Sequence, residues 1–214
     1  MKPKFLSAVV LLLVVVFFSI KAQDQPLGQK PKPLEPSSLQ EPLASARMRS
    51  PAEKYFSDVE LINQDGQKMR FYNDVLKDKV VVINTFFTTC TGACPPVNRN
   101  LEKVQEALGD RLGKDAFLVS MSVDPETDTP ARLKEYSQRF HARPGWIFLT
   151  GKKENVDWAL YKLGQYVETK DGHTTIIIIG NEPKGLWKKA FGLAKSDELI
   201  LVVESVLNDK PAQD

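Results

Sequence analysis

The chain has 214 residues, of which 42% are hydrophobic, and its 29 basic and 27 acidic residues give a formal net charge of +2. The first 22 residues contain Lys2, Lys4 and Lys21 but no acidic residue, so the remaining chain has 26 basic residues against 27 acidic ones. This balance gives no indication of the basic surface that nucleic-acid binding requires, so no nucleic-acid partner is expected.

The first predicted element is an apolar leader. Residues 5–20 form an uncharged apolar run after two lysines, the pattern of a positive n-region and an h-region. As a helix at ~1.5 Å per residue this run would be about 24 Å long, which is shorter than the ~30 Å hydrocarbon core of a bilayer. The length favours a signal peptide, whereas Ile20 and Lys21 before Ala22 do not make a clean cleavage site. Residues 1–22 are therefore either a cleaved signal or a short membrane anchor, and both alternatives predict an exported protein, periplasmic or at the outer face of the cytoplasmic membrane.

A proline-rich segment follows the leader. Residues 23–51 contain six prolines, separated mainly by polar residues. Such a segment buries too little apolar surface to fold, so it is predicted to be an extended linker. In polyproline geometry, at ~3.1 Å per residue, the linker would hold a domain tens of ångströms from a membrane. We predict a folded domain over residues 52–214.

The first half of the predicted domain contains a β-hairpin and a βαβ unit. Residues 58–63 are predicted to form a strand, and residues 68–71 return beside it after a glycine-containing turn. Residues 80–87 are almost continuously apolar and rich in β-branched side chains, which is typical of a central strand buried on both faces. Apolar residues at helical spacing over residues 97–108 predict an amphipathic helix, and residues 117–123 predict the next buried strand.

The second half continues this alternation of strands and helices. Thr129 can cap a helix that has Pro130 at its first position. The remaining predicted elements are a short strand at 146–149, a helix around 156–163, strands at 174–179 and 186–191, and a final helix from Ser196. This order predicts an α/β sandwich, with a mixed central sheet flanked by helices and an extra N-terminal β-hairpin.

The chain has two cysteines, Cys90 and Cys94, and a single close pair indicates a redox or metal site more than a disulfide-stapled fold. Cys90 follows the predicted central strand and Cys94 lies at the start of the predicted helix, at the sheet edge where α/β proteins bind ligands. A helix N-terminus stabilises a thiolate and lowers the thiol pKa. Because Pro95 disfavours helical dihedral angles at Cys94, both sulfurs are predicted on a loop, which Gly92 gives the freedom to bring them together. Two inert, buried cysteines are the alternative.

The two histidines are candidates for a third ligand. His173 directly precedes the predicted strand at 174–179, and in a thioredoxin-like fold that loop packs against the active cysteines. Two thiolates and an imidazole make a soft, three-coordinate site that suits Cu(I). On its own, a histidine before a strand is more often a solvated loop residue. His141 is interpreted as a charge partner of a helix C-terminus, and a zinc site with both histidines lacks the usual ligand spacing.

Two other groups have both a structural and a functional interpretation. Asp124, Glu126 and Asp128 could form a carboxylate metal cluster, but we expect them to cap a turn and the following helix, where negative charge is favourable. Trp187 and the two lysines that follow it are expected to cover an edge strand, with a partner-docking surface as the alternative.

Taken together, these motifs resemble the Sco/SenC family. The resemblance rests on residues 86–95 around the cysteines, on residues 120–130, and on residues 172–174 with Gly185 downstream, and it covers roughly residues 55–210. It implies a thioredoxin-like fold and a role in maturing the dinuclear CuA centre of cytochrome c oxidase.

The resemblance also implies that Cys90, Cys94 and His173 bind copper. Family members commonly have Pro-Asp-Val between the two cysteines, where this chain has Thr91-Gly92-Ala93. The three ligands are retained, but an acid that could tune copper affinity or thiol acidity is absent.

The sequence therefore predicts a metallochaperone more than an enzyme. Reduced Cys90 and Cys94 would hold copper with His173 and pass it by ligand exchange to cytochrome c oxidase subunit II or another acceptor, while a thiol-disulfide reductant keeps the pair reduced. The alternative is a thiol-disulfide reductase without metal transfer, in which Cys90 attacks and Cys94 resolves. Peroxide reduction is a weaker option, because the surroundings of a peroxidatic cysteine are not evident. Membrane contact is expected only through residues 1–22, if they are retained.

Overall fold

The computed structural model describes residues 50–209. The predicted leader and all of the predicted linker except Ser50 and Pro51 lie outside these residues, so the division of the chain into leader, linker and domain stays a prediction. Helix α1 (Pro51–Phe56) begins at the last residue of that linker, and the Ser50 hydroxyl accepts a hydrogen bond from the Glu53 N–H as its N-cap. None of the helices between residues 50 and 209 has the length and apolar character needed to span a membrane.

A seven-stranded mixed sheet forms the centre of the described region. Its strands are β1 (Glu60–Asn63), β2 (Lys68–Arg70), β3 (Val80–Phe86), β4 (Ala116–Ser122), β5 (Trp146–Thr150), β6 (Ile176–Asn181) and β7 (Leu186–Phe191). The order across the sheet is β2-β1-β5-β4-β3-β6-β7. Strands β3, β4 and β5 are parallel to one another, and every other neighbouring pair is antiparallel. The predicted mixed sheet with an N-terminal hairpin is confirmed.

Four longer helices pack against this sheet. They are α2 (Cys94–Leu108), α3 (Pro130–Gln138), α4 (Lys153–Lys162) and α5 (Ser196–Leu207). Thr129 caps α3 as predicted, because its hydroxyl accepts the N–H of Arg132. The sequence analysis missed α1 and a π-helical turn at Phe71–Leu76, since six residues are too few to show a helical period.

Apolar side chains cover both faces of the sheet. All seven residues of β3 are buried, as the sequence predicted for a central strand. Val82 and Phe86 belong to the apolar cluster formed with α2, α3 and α5, whereas Val81 and Ile83 belong to the cluster formed with α1 and α4. Successive β3 side chains therefore alternate between two cores, and the described region is a sandwich of helices, sheet and helices.

The strand order brings three chain segments to one edge of the sheet. Phe86 at the end of β3 pairs with Ser122 at the end of parallel β4. Strand β6 is antiparallel to β3, so the loop before β6 reaches the same edge. The Thr85 hydroxyl donates to the Thr174 carbonyl at 3.3 Å, which joins that loop to the end of β3.

Trp187 lies on β7, which is an edge strand of the sheet, and its ring covers the neighbouring strand β6. The sequence analysis expected Trp187 to have such a covering role. Trp187 lies opposite Gly180 in the pairing of β6 with β7, and its ring contacts Phe56 with centroids 5.3 Å apart. A Cβ at Gly180 would lie only 2.2 Å from the nearest atom of the Trp187 ring. The close contact of ring and backbone therefore requires glycine at this position.

We expect Gly180→Ala to lower the free energy of unfolding by about 1–3 kcal/mol, because the added methyl group must displace the Trp187 ring or separate the strands. Urea unfolding followed by tryptophan fluorescence measures the change. Gly92→Ala is the matched control, because a Cβ at Gly92 meets nothing within 4 Å. Equal stability of the two variants would contradict this packing.

Candidate metal centre

The two cysteines lie at the sheet edge between β3 and α2. Cys90 is half-buried in the loop after β3, and its N–H donates to the Phe87 carbonyl at 3.1 Å. Cys94 is buried and is the first residue of α2. The prediction that Cys94 lies at the start of a helix is confirmed. The further prediction from Pro95, that both sulfurs lie on a loop, is wrong for Cys94, because Pro95 fits the first helical turn, where no hydrogen-bond partner is needed for an N–H. Gly92 has open space for a Cβ, so the observed loop does not require glycine there.

The Cys94 thiol is less acidic than the sequence predicted. Burial raises the pKa of Cys94 to about 12, and the neighbouring Cys90 thiol adds to the rise. The expectation that the helix N-terminus lowers its pKa is therefore wrong, since the loss of hydration outweighs the backbone hydrogen bonds that favour the thiolate. Cys94 is protonated at neutral pH in the metal-free protein, and a thiophilic metal must displace that proton.

His173 lies in the loop before β6 and faces Cys94. Its Nε2 is 3.3 Å from the Cys94 Sγ, and its Nδ1 is 2.8 Å from the carbonyl oxygen of Lys170. A carbonyl can only accept a hydrogen bond, so Nδ1 carries the proton and Nε2 presents its lone pair towards the cysteines. The Phe87 ring packs edge-on against the imidazole, with centroids 5.2 Å apart. The histidine is thus held in the tautomer that a metal ligand needs.

The fold brings together the three residues that the sequence analysis singled out. One ligand atom from each of Cys90, Cys94 and His173 lies within 4.8 Å of the other two. Two sulfurs and one imidazole nitrogen form a soft donor set, which suits Cu(I) better than hard cations such as Mg²⁺ or Ca²⁺. A cavity of about 550 Å³ is lined by Cys90 and His173, so the group can be reached from solvent.

The second histidine does not join this group. His141 follows α3, and its Nδ1 is 2.6 Å from the Glu102 carboxylate on α2. Its imidazole thus contacts a side chain of the neighbouring helix, and its interpretation as a charge partner of a helix C-terminus stays a prediction. Within residues 50–209, the structure does not form a zinc site from both histidines.

Asp128 anchors the loop that leads to Cys90. Its buried carboxyl group accepts the Thr88 N–H at 3.1 Å, the Thr88 hydroxyl, and the Ser122 hydroxyl at 2.6 Å. Sequence reasoning treated Asp128 as a capping residue and missed this contact, because Thr88 is distant in sequence. Across the described residues, Asp124, Glu126 and Asp128 do not form a carboxylate metal cluster.

Asp124 links the end of β4 to the loop that carries His173. Its carboxylate accepts a hydrogen bond from the Lys170 ammonium at 2.8 Å, and the Lys170 carbonyl is the acceptor for His173 Nδ1. Partial burial alone would raise the pKa of Asp124, but the Lys170 contact and a hydrogen bond from Thr127 outweigh it and lower the pKa. One lysine therefore connects this acid to the candidate ligand.

Comparison with known proteins places these features in context. The SCO1/SenC family model matches residues 47–206. A SCO2-like protein of Rickettsia conorii is 36% identical over 103 residues, which cover 48% of this chain and 48% of the relative. The SCO1 protein homolog of Bacillus subtilis is 31% identical over 118 residues, covering 54% of this chain and 60% of the homolog. The matches thus span about half the length of these curated relatives.

Solved structures show the same fold. A SCO1/SenC family lipoprotein from Bacillus anthracis has a TM-score of 0.58 at 28% identity, covering 69% of this chain and 91% of that protein. Arabidopsis thaliana ScoI with copper bound has a TM-score of 0.59 at 25% identity, covering 71% and 97%. BsSco, described as a member of the Sco family of cytochrome c oxidase assembly proteins with a disulfide switch, has a TM-score of 0.58 at 27% identity, covering 71% and 92%. The predicted thioredoxin-like α/β fold is confirmed.

We expect iodoacetamide to alkylate Cys90 at least about tenfold faster than Cys94 in the folded, reduced protein, because Cys94 is both buried and poorly ionised. Peptide mapping after timed quenching measures the two rates. The Cys90→Ser variant should stay slow to react, and the unfolded chain should lose the difference between the two cysteines. Equal rates in the folded protein would contradict the buried position of Cys94.

Asp128→Ala should lower the free energy of unfolding by about 2–4 kcal/mol, because it leaves three hydrogen-bond donors without their acceptor inside the protein. Chemical denaturation measures this loss. Glu126→Ala removes an exposed acid from the same segment and should have little effect. A similar small loss in both variants would show that Asp128 does not anchor the loop.

Proposed function

This chain belongs to the SCO1/SenC family, and on that premise we propose that it is a copper chaperone acting outside the cytoplasm. In this proposal Cys90, Cys94 and His173 bind Cu(I), and the protein passes the ion to an acceptor with thiolate ligands, such as the CuA site of cytochrome c oxidase subunit II. The protein binds and transfers its cargo and does not turn over a substrate. The apolar leader supports export, with residues 1–22 as signal or anchor.

The convergence of the three ligand atoms is the observation that carries this proposal. Cys94 and His173 come from different parts of the chain, yet Sγ and Nε2 lie 3.3 Å apart, and Cys90 completes the group within 4.8 Å. An imidazole whose Nδ1 is already hydrogen-bonded to a carbonyl is typical of a metal-ligating histidine. A copper-bound relative, Arabidopsis ScoI, has the same fold.

The unequal exposure of the two cysteines suggests how the cargo leaves. Cys94 is buried, whereas Cys90 is half-buried and lines the cavity that it shares with His173. An incoming thiolate can approach this side without opening the core. We therefore assign the first ligand exchange to Cys90, with Cys94 and His173 retaining the ion until the acceptor has bound it.

Thiol-disulfide exchange is the second candidate function. The same asymmetry suits a reductase, because Cys90 is accessible to attack an acceptor disulfide and Cys94 lies beside it as the resolving thiol. The disulfide switch of BsSco supports this alternative. A reductase without metal transfer has no need of the His173 imidazole, and this requirement separates the two functions.

Anaerobic titration of the reduced protein with Cu(I), against a competing chelator, should give one ion per chain, with sulfur and imidazole ligation in X-ray absorption spectra. Cys90→Ser and His173→Ala should each weaken the affinity by more than about tenfold, because each removes a ligand from a three-coordinate site. Oxidation to the Cys90–Cys94 disulfide should abolish binding. His141→Ala is the matched control and should bind like the parent protein.

Circular dichroism of each variant accompanies the titration. If His173→Ala is folded and binds Cu(I) with parental affinity, the copper-chaperone proposal fails and the dithiol reductase remains. If His173→Ala does not fold, the imidazole has a structural role and its assignment as a ligand is contradicted.

A further inference from the structure

A continuous chain of buried polar side chains runs beneath the cysteine loop. It joins Trp146 on β5, Ser120 on β4, Asn84 on β3, Asn98 on α2 and Tyr136 on α3, and all five residues are buried. The successive hydrogen bonds are 2.9, 2.6, 3.1 and 3.0 Å long. This chain connects three strands and both helices next to the candidate metal centre.

The donor-to-acceptor order of these hydrogen bonds follows from Trp146, the first residue of the series. The Trp146 indole N–H can only donate, so Ser120 uses an oxygen lone pair to accept it and gives its own proton to Asn84. The Asn84 amide then donates to the Asn98 carbonyl oxygen, and the Asn98 amide donates to the Tyr136 oxygen. The opposite order would leave the serine proton without an acceptor in the core, at a considerable cost in free energy.

Tyr136 is the last residue in this series of hydrogen bonds, and its own hydroxyl proton has no acceptor within residues 50–209. Tyr136 is only 3% exposed, but it lines two adjacent cavities of about 220 and 340 Å³ beside the cysteine loop. Burial and the nearby cysteines raise the pKa of Tyr136, so the hydroxyl keeps its proton at neutral pH. The side chain that borders these cavities thus carries a hydroxyl proton without an acceptor among the described residues.

Arginine side chains line the same two cavities. Arg99 lies with Cys90 around the larger cavity, and Arg132 and Arg139 lie around the smaller one. Arg139 is paired with Glu135 at 2.6 Å. In the described part of the chain, neither Arg99 nor Arg132 has a carboxylate partner.

Glu135 pairs with Arg139, and Glu102 at the larger cavity contacts His141, so the positive charge without an ion-pair partner among the described residues is that of Arg99 and Arg132. Cys90 lines both the larger cavity and the separate cavity that it shares with His173. A molecule bound in the larger cavity would therefore lie next to the more exposed sulfur.

We propose that the two cavities lined by Tyr136 and the three arginines, here called the α2–α3 cleft, bind an acidic segment of the protein that exchanges ligands with Cys90. This inference rests on the proposed function, in which a cysteine of the acceptor approaches Cys90. A carboxylate next to that cysteine would accept hydrogen bonds from the Tyr136 hydroxyl and from the Arg99 guanidinium, and charge-assisted bonds of this kind are strong. A neutral segment offers only uncharged acceptors, which form weaker hydrogen bonds, and a basic segment is repelled by the guanidinium groups.

The test measures how fast Cys90 captures short cysteine peptides of different charge. Three synthetic peptides carry one cysteine flanked by Asp and Glu, by Asn and Gln, or by Lys, each activated as a disulfide with 2-thiopyridine. In the full chain with Cys94→Ser, which cannot resolve the product, the Cys90 thiolate attacks the peptide sulfur. The activated disulfide breaks, a Cys90–peptide disulfide forms, and 2-thiopyridone leaves with the thiol proton; its absorbance gives the rate.

At low ionic strength the acidic peptide should react about tenfold faster than the neutral one, and salt should remove the difference. Arg99→Glu should abolish or reverse this preference, and Tyr136→Phe should reduce it about threefold, the size expected from loss of one hydrogen bond. Lys114→Glu makes the same change in net charge at an exposed site before β4 and should keep the preference. Uncharged 2,2′-dithiodipyridine should react equally with the parent and with Arg99→Glu.

Equal rates for the acidic and neutral peptides, or an acidic preference that survives Arg99→Glu, would overturn the proposal. An equal loss of preference in Lys114→Glu would also overturn it, because net charge alone would then explain the effect. Cu(I) titration of Arg99→Glu with both cysteines present separates this inference from the proposed function. Arg99→Glu should bind Cu(I) with parental affinity. Failure of the parent to bind Cu(I) contradicts the chaperone function, whereas Cu(I) binding by the parent without a preference for the acidic peptide contradicts the cleft alone.

Discussion

Strand β6 runs antiparallel to β3, with Ile83 opposite Ile178, and the candidate metal centre depends on this pairing. Because the strands run in opposite directions, the residues before β6 meet the residues after β3. His173 therefore reaches Cys94 although 79 positions separate them in the sequence. A register shift of one residue would turn the β6 side chains to the opposite faces of the sheet and would separate the imidazole from the sulfurs.

Two acids after β4 hold the loops that this pairing brings together. Asp128 accepts three hydrogen bonds and fixes the loop before Cys90, while Asp124 pairs with Lys170 in the loop that carries His173. Neither acid contributes a ligand atom to the group. Their effect is to orient the ligands before an ion arrives, which reduces the loss of conformational entropy on binding.

The two sulfurs differ because the fold buries one more than the other. Burial raises the pKa of Cys94 to about 12 and keeps it protonated beside the acceptor nitrogen of His173. Cys90 lies between the cavity bordered by His173 and the α2–α3 cleft. This arrangement supports different roles for the two sulfurs in the proposed transfer: Cys94 retains a bound ion, and Cys90 contacts the acceptor protein. It also explains why the same pair suits thiol-disulfide exchange.

Local patterns in the sequence were sufficient to predict the buried strand β3, the Thr129 cap, the alternation of strands and helices, and the position of Cys94 at a helix start, because each depends on neighbouring residues. The position of His173 directly before a predicted strand made it a candidate ligand, and the family motifs supported that assignment. Short helix α1, the Asp128–Thr88 contact and the polar chain ending at Tyr136 were not predictable, since they join residues that are distant in sequence or lack a period. The acidity of Cys94 was predicted in the wrong direction. A thiol pKa depends on how much water the folded chain excludes, and only the packing of α2 against the sheet determines that.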